Sequence, residues 1–81
     1  YLNLGLAYYN ANKFEEAIET LQKGEPYAKT NESYYRKFSG ICIKAGKYEV
    51  AEEVVNKGLF LFPNEPMLLD YKRQFDARRA N

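Results

Sequence analysis

The sequence predicts an all-α fold made of two similar helical hairpins followed by a fifth helix. Three observations lead to this prediction: the sequence matches itself at an offset of 34 residues, apolar residues recur at helical spacing, and no stretch shows the alternation of a strand. The 81 residues are enough for one small domain. A content of 46% hydrophobic and 28% charged residues is typical of a globular chain.

The internal repeat aligns residues 11–24 with residues 45–58 without a gap. Seven of the 14 aligned positions are identical: Ala11 and Ala45, Lys13 and Lys47, Glu15 and Glu49, Ala17 and Ala51, Glu19 and Glu53, Lys23 and Lys57, Gly24 and Gly58. Repeats of this length are single supersecondary units that must stack to bury their apolar faces. We therefore expect each unit to form one hairpin that packs on the next.

Apolar residues mark the helices in chain order. The stripes of the four repeat helices are Tyr1, Leu4, Tyr8 and Ala11; Phe14, Ala17, Ile18 and Leu21; Tyr35, Phe38 and Cys42; and Tyr48, Ala51, Val55 and Leu59. The fifth helix carries Leu68, Tyr71 and Phe75. Asn12 and Gly46 stand between the paired stripes, and both residue types tolerate the left-handed conformation that reverses a chain after a helix.

Polar residues predict where the helices begin. Asn12 with Glu15 resembles a capping box for the second helix. Thr30 or Asn31 can cap the third helix, because both residue types accept a hydrogen bond from the first turn. Pro66 suits the first turn of the fifth helix, where its missing N–H is not needed.

Prolines predict where two helices end. Pro26 has no N–H to donate, so the second helix should stop or kink near Gly24, and Pro63 should close the fourth helix. The fifth helix then runs to about residue 79. These boundaries divide a single domain, residues 1–81, into three parts: residues 1–31, 32–65 and 66–79.

The two units resemble the tetratricopeptide repeat, whose pattern is W-x₂-L-G-x₂-Y…A-x₃-F…P with a period of 34 residues. The matching positions are Tyr1, Leu4, Gly5, Tyr8, Ala17 and Leu21 in the first unit, and Tyr35, Phe38, Ser39, Cys42, Ala51, Val55 and Pro63 in the second. The resemblance covers essentially residues 1–68, and the fifth helix is similar to the capping helix of that family. It implies an α-α superhelix of five antiparallel helices.

Small residues fit this arrangement on physical grounds. Gly5 and Ser39 are small at positions where the two helices of a hairpin must approach closely, and Ala17 and Ala51 are small on the facing helices. We therefore expect leucine at Ala17 or Ala51 to destabilise the fold by overpacking.

Composition excludes several classes of function. His is absent and Cys occurs once, so a Ser/His/Asp triad, a Cys/His pair and a His-ligated metal site cannot form within the chain. We expect no enzyme, cofactor or metal site here, and Cys42 to be a core residue. Twelve basic and 11 acidic residues leave a net charge of +1, which gives no overall attraction to nucleic acid. No apolar run is long enough to cross a bilayer.

The resemblance places a binding groove along the first helix of each hairpin. The residues that it implies as lining are Leu2, Asn3, Leu6, Tyr9 and Asn10 in the first unit, Ser33, Arg36, Lys37, Gly40, Ile43 and Lys44 in the second, and Asp70, Gln74, Ala77 and Arg78 in the fifth helix. One end of this groove is apolar and its middle is basic, which favours an acidic segment or a C-terminal carboxylate. Reversing the charge of Arg36 and Lys44 should then weaken binding of an acidic peptide without lowering the melting temperature.

Each set of these lining residues also has an interpretation that needs no ligand. Arg36, Lys37 and Lys44 are either a solvated face or ligand contacts. The amides of Asn3 and Asn10 either bracket a peptide backbone or lie in water.

Leu2, Leu6 and Tyr9 contact either a preceding repeat, a peptide, or a second copy of the chain. The leading hypothesis is accordingly a peptide-binding or scaffold module. The alternatives are self-association through an open N-terminal end and an accessory region of a larger enzyme.

The first residue is Tyr1, so we expect the sequence to be a piece of a longer chain or a processed product. One thiol that cannot form an internal disulfide slightly favours a reducing compartment such as the cytoplasm, without fixing the localisation.

Overall fold

A computed structural model describes residues 1–79 of the chain, and all of its regular elements in that range are helical. The elements are α1 (Leu2–Asn10), α2 (Phe14–Gly24), a 3₁₀ turn (Glu25–Tyr27), α3 (Glu32–Lys44), α4 (Tyr48–Leu61) and α5 (Pro66–Arg79). The prediction of an all-α fold with five helices is therefore confirmed. α1 packs on α2 and α3 on α4 as helical hairpins, while α2 contacts α3, and α5 lies on both α3 and α4.

The two hairpin turns have the same geometry. Asn12 has φ 62° and Gly46 has φ 75°, so both adopt the left-handed conformation that the sequence predicted. The next residue in each turn donates a backbone hydrogen bond to the carbonyl five residues earlier: Lys13 to Tyr8 at 2.9 Å, and Lys47 to Cys42 at 2.9 Å. These bonds define a Schellman motif, which ends a helix and reverses the chain.

The capping box predicted at Asn12 and Glu15 is wrong. α2 begins after Lys13, and no side chain accepts a hydrogen bond from its first turn. The reason is that Asn12 completes the turn after α1, and its left-handed backbone is incompatible with the extended conformation of an N-cap residue.

The other predicted boundaries agree with the structure. Asn31 caps α3 by accepting a hydrogen bond from the backbone N–H of Tyr34 at 3.3 Å. α2 ends at Gly24, where the 3₁₀ turn containing Pro26 begins. α4 ends at Leu61, two residues before Pro63, and α5 begins at Pro66.

The core lies between the hairpins and beneath α5. Its buried apolar residues are Ala17, Ile18, Leu21, Tyr34, Tyr35, Phe38, Ile41, Cys42, Ala51, Val54, Val55, Leu68 and Phe75. Ser39 is also buried, and its hydroxyl donates to the carbonyl of Tyr35 at 2.7 Å. The small residue at this position therefore satisfies its own polar group within α3.

The stripe predicted for α1 is rotated from the face that the helix actually buries. Tyr1 is 59% exposed and Leu4 is 52% exposed, whereas Gly5 is the buried residue of α1. A Cβ atom on Gly5 would lie 2.7 Å from Cγ of Leu21. Because this contact presses the α1 backbone onto α2, the glycine determines which side of α1 faces the core.

Candidate functional site

One side of the fold carries a groove formed by α1, α3 and α5, with a volume of about 460 Å³. Its lining residues are Leu6 and Tyr9 from α1, Arg36, Lys37, Gly40, Ile41 and Lys44 from α3, and Met67 and Tyr71 from α5. We call this the α1–α3–α5 groove. Six of the residues that the sequence analysis assigned to a groove meet here: Leu6, Tyr9, Arg36, Lys37, Gly40 and Lys44.

Several other candidate residues do not line this groove. Leu2 and Ile43 are partly buried and pack against the core of the domain. Asn3, Asn10 and Gln74 are exposed. They project from α1 and α5 outside the lining of the groove.

Charged candidates on α5 are engaged elsewhere. The guanidinium of Arg78 lies 4.1 Å from the ring centroid of Tyr48, which places it against α4 in a cation–π contact. Asp70 forms an ion pair with Arg73 at 2.6 Å on the exposed side of α5. Ala77 is exposed and also lies outside the groove lining.

Arg36 is held by a partner that the sequence analysis did not identify. Its guanidinium donates to Oε1 of Glu65 at 2.8 Å and to the hydroxyl of Ser33 at 3.3 Å. The Glu65 side chain is only 3% exposed. Because its neighbour is a buried carboxylate, the positive charge of Arg36 is largely compensated.

The other oxygen of Glu65 caps α5. Its Oε2 accepts a hydrogen bond from the backbone N–H of Leu68 at 2.8 Å. Burial raises the pKa of Glu65, but hydrogen bonds from Arg36 and from the backbone of Leu68 and Met67, with the charge of Arg36, lower it overall. Glu65 is therefore ionised at neutral pH and ties α5 to α3.

This ion pair changes the expectation for charge reversal at Arg36. The sequence analysis predicted no loss of thermal stability when Arg36 and Lys44 are reversed. An acidic residue in place of Arg36 would face the buried Glu65 carboxylate. Two carboxylates in contact repel each other, so reversal at this position should lower the melting temperature.

Lys37 and Lys44 are the groove cations that remain available. Both are exposed, and neither forms an ion pair within residues 1–79. Gly40 lies between them on α3, and a Cβ atom there would lie 3.3 Å from the hydroxyl oxygen of Tyr71. At this point of the groove a glycine of α3 therefore faces the phenol of Tyr71 at close range.

Sequence reasoning missed three lining residues as well as Glu65. Ile41 lies on the core side of α3 and only its edge reaches the groove, since the residue is 4% exposed. Tyr71 was assigned to the inner stripe of α5 and is in fact half-buried at the groove wall. Met67 lies in the first turn of α5 and is 44% exposed, and no pattern in the sequence marked it as a lining residue.

A second cleft lies between the 3₁₀ turn and the end of α4, with a volume of about 420 Å³. Its lining residues are Glu25, Pro26, Lys29, Tyr35, Lys57, Phe60 and Leu61. Its central charges compensate each other, because Glu25 accepts a hydrogen bond from the Tyr35 hydroxyl at 3.2 Å and pairs with Lys57 at 3.5 Å. Burial and the Glu25 charge raise the pKa of Tyr35 to about 12, so this phenol stays protonated.

The single thiol belongs to the core. Cys42 is fully buried, and burial raises its pKa to about 12. A thiol that remains protonated at neutral pH is a poor nucleophile. Residues 1–79 contain no group of three or more His, Cys, Asp or Glu side chains placed to hold a metal ion.

In the same range, no helix combines the length and the apolar character that crossing a membrane requires.

Comparison with protein-family models found no match, and comparisons with curated proteins and with solved structures found none either. The resemblance to tetratricopeptide repeats therefore depends on the residues of the chain itself.

Proposed function

We propose that the chain is a tetratricopeptide-like interaction module that binds a short acidic peptide segment in the α1–α3–α5 groove. The observation that carries this proposal is the composition of the groove: apolar residues from α1 and α5 lie beside two lysines, Lys37 and Lys44, that have no ion-pair partner within residues 1–79. Apolar surface supplies the driving force for association, and unpaired charge selects the sign of the ligand.

The repeat geometry supports the tetratricopeptide part of the proposal. The two Schellman turns lie 34 residues apart and use equivalent hydrogen bonds, those of Lys13 and Lys47. In both units a glycine or serine of the first helix is buried, at Gly5 and at Ser39. The same sequence positions thus perform the same structural task in each hairpin, as expected of a repeat.

Peptide binding is tested by fluorescence anisotropy with three labelled octapeptides of net negative, zero and positive charge. We expect only the acidic peptide to bind at physiological salt. Gly40→Leu should remove that binding, because the new side chain occupies the groove beside Tyr71. The effect on the melting temperature should be small, because the higher helix propensity of leucine offsets the slight shift of the Tyr71 hydroxyl that a Cβ atom requires.

The matched control is Lys47→Gln. It removes one positive charge from the turn before α4, where the lysine makes no side-chain cap, and lies outside the groove. We expect this variant to bind the acidic peptide as the unmodified chain does. Acidic-peptide binding that survives Gly40→Leu would contradict the assignment of the groove.

Self-association is a second candidate function, favoured by one apolar patch. Tyr1, Leu4 and Tyr27 are all more than half exposed, and the rings of the two tyrosines stack at a centroid distance of 5.9 Å. The patch differs from the one expected from the sequence, because Leu6 and Tyr9 pack partly against the domain's own core.

Sedimentation velocity over a range of concentrations tests self-association. If copies associate through this patch, the average mass rises with concentration and Leu4→Asp keeps the chain monomeric. A monomer at every concentration would exclude this candidate and leave peptide binding unaffected.

A further inference from the structure

We propose that the groove selects a segment in which two acidic side chains, three positions apart, flank two apolar residues in a polyproline II conformation. This inference rests on the proposed function and specifies the ligand in more detail. It follows from three features of the groove: the spacing of its lysines, the size of the space, and the position of its apolar residues.

The spacing of the lysines sets the distance between the acidic groups. Lys37 and Lys44 are seven positions apart on α3. With a rise of about 1.5 Å and a turn of 3.6 residues, their Cα atoms are separated by roughly 10.5 Å along the helix and point to nearly the same side. A ligand whose acidic groups are spaced to match these two helix positions therefore presents them roughly 10 Å apart on one side.

A polyproline II segment meets this requirement. It has three residues per turn and rises about 3.1 Å per residue, so positions i and i+3 point the same way and lie roughly 9 Å apart. In a β-strand the same two positions point to opposite faces. An α-helix rises only about 1.5 Å per residue, so the same two positions lie roughly 4.5 Å apart along its axis, which is too close.

The two intervening residues then point away from the lysines. In a threefold segment they diverge by roughly 120° on either side of the direction set by the acidic groups. The lining of the groove outside α3 is supplied by α1, with Leu6 and Tyr9, and by α5, with Met67 and Tyr71. Both intervening positions are therefore expected to carry apolar side chains.

The Tyr71 hydroxyl is placed to donate a hydrogen bond to the backbone of such a segment. It lies 3.3 Å from the Cβ position of Gly40, and it makes no side-chain hydrogen bond within residues 1–79. The carbonyl groups of a polyproline II segment are not used internally, so one of them can accept from this phenol. Proline at the second apolar position would favour the bound conformation before association.

The test compares two labelled peptides of identical composition, Gly-Ser-Glu-Leu-Pro-Glu-Ser-Gly and Gly-Ser-Glu-Glu-Leu-Pro-Ser-Gly. Only the first has its glutamates three positions apart. One exposed ion pair is worth up to about 1 kcal/mol, so we expect the first peptide to bind about fivefold more tightly by fluorescence anisotropy. Lys37→Gln and Lys44→Gln should each abolish this difference, whereas Lys47→Gln should preserve it.

The outcomes separate the two proposals. Equal affinity for the two peptides would overturn the spacing rule, while the groove would still be an acidic-peptide site. Failure of both peptides and of every other acidic octapeptide to bind the folded chain would overturn the proposed function together with this inference. If both lysine variants still prefer the first peptide, groups other than Lys37 and Lys44 distinguish the two glutamate spacings. That result would also overturn the assignment to these lysines.

Discussion

Replacement of Glu65 by alanine should strongly destabilise the fold, because this one carboxylate makes two separate contacts. One oxygen pairs with Arg36 and the other accepts from the backbone N–H of Leu68, both at 2.8 Å. Loss of an N-terminal helix cap costs about 1 kcal/mol. A hydrogen bond to a charged group contributes roughly 1.5–3 kcal/mol, and the lower value applies here because the Arg36 side chain is 35% exposed.

The two contributions amount to about 2–3 kcal/mol for Glu65→Ala. In a domain of this size each kcal/mol lowers the melting temperature by roughly 4–8 °C, so we expect a fall of about 10–20 °C. Glu65→Gln keeps an acceptor for Leu68 and loses mainly the charge, and we expect about 1 kcal/mol. Urea unfolding followed by circular dichroism measures both. Glu53→Ala, which removes an exposed carboxylate from α4, is the matched control and should change stability by less than about 0.5 kcal/mol.

The pH dependence of Glu65 has a definite sign. Its pKa is lowered in the folded state, so its contribution is fully present above the unfolded value of about 4.3 and is lost as pH falls through the lowered pKa. The stability difference between the unmodified chain and Glu65→Gln should therefore shrink below about pH 4. If Glu65→Ala matches Glu53→Ala in stability, or if that difference is independent of pH, the role assigned to Glu65 is wrong.

Three further predictions concern the core. Gly58→Ala should destabilise by roughly 1–3 kcal/mol in urea unfolding, because its Cβ would lie 2.6 Å from Cδ1 of the buried Leu68; a neutral result would mean that α4 and α5 can separate there. Ala17→Leu and Ala51→Leu should each cost a similar amount, since both alanines are fully buried, and melting temperatures equal to that of the unmodified chain would refute the close packing. The Cys42 thiol should be silent toward Ellman's reagent at pH 8 in the native chain and react fully in urea, because its pKa is about 12; rapid native reaction would show that the residue is accessible.

Local sequence patterns were sufficient for the helices and their turns. Asn12 and Gly46 each occupy the position where a left-handed residue is needed, and Asn31 is the residue that caps α3. These features depend on a few neighbouring residues, so a repeat period and simple residue preferences identify them. The capping box at Asn12 failed because one residue cannot complete the turn after α1 and also cap α2.

The orientation of α1 could not be predicted from apolar spacing. Its residues include leucine or tyrosine on several sides, among them Leu2, Leu4, Leu6 and Tyr8, so more than one stripe fits a helical period. The structure shows that close packing decides which side of α1 faces the core, since only Gly5 leaves room for Leu21 of the neighbouring helix.

The candidate groove was predictable on its α3 side and less so elsewhere. Lys37, Gly40 and Lys44 share a face of one helix, which follows from spacing alone. The pairing of Arg36 with Glu65 joins residues 29 positions apart, so only the packing of α5 against α3 reveals it. The sequence therefore suggested an available positive charge at Arg36, Lys37 and Lys44, whereas that of Arg36 is largely compensated by Glu65.

Most helix contacts in this molecule join elements that are consecutive along the chain, and the contact of α3 with α5 skips only one helix. Proteins dominated by such short-range contacts cross low entropic barriers and generally fold in microseconds to milliseconds. On a ribosome, the first hairpin would have all of its own contacts available before the second had emerged. The chain can therefore be assembled vectorially, with each new helix docking onto a surface that already exists.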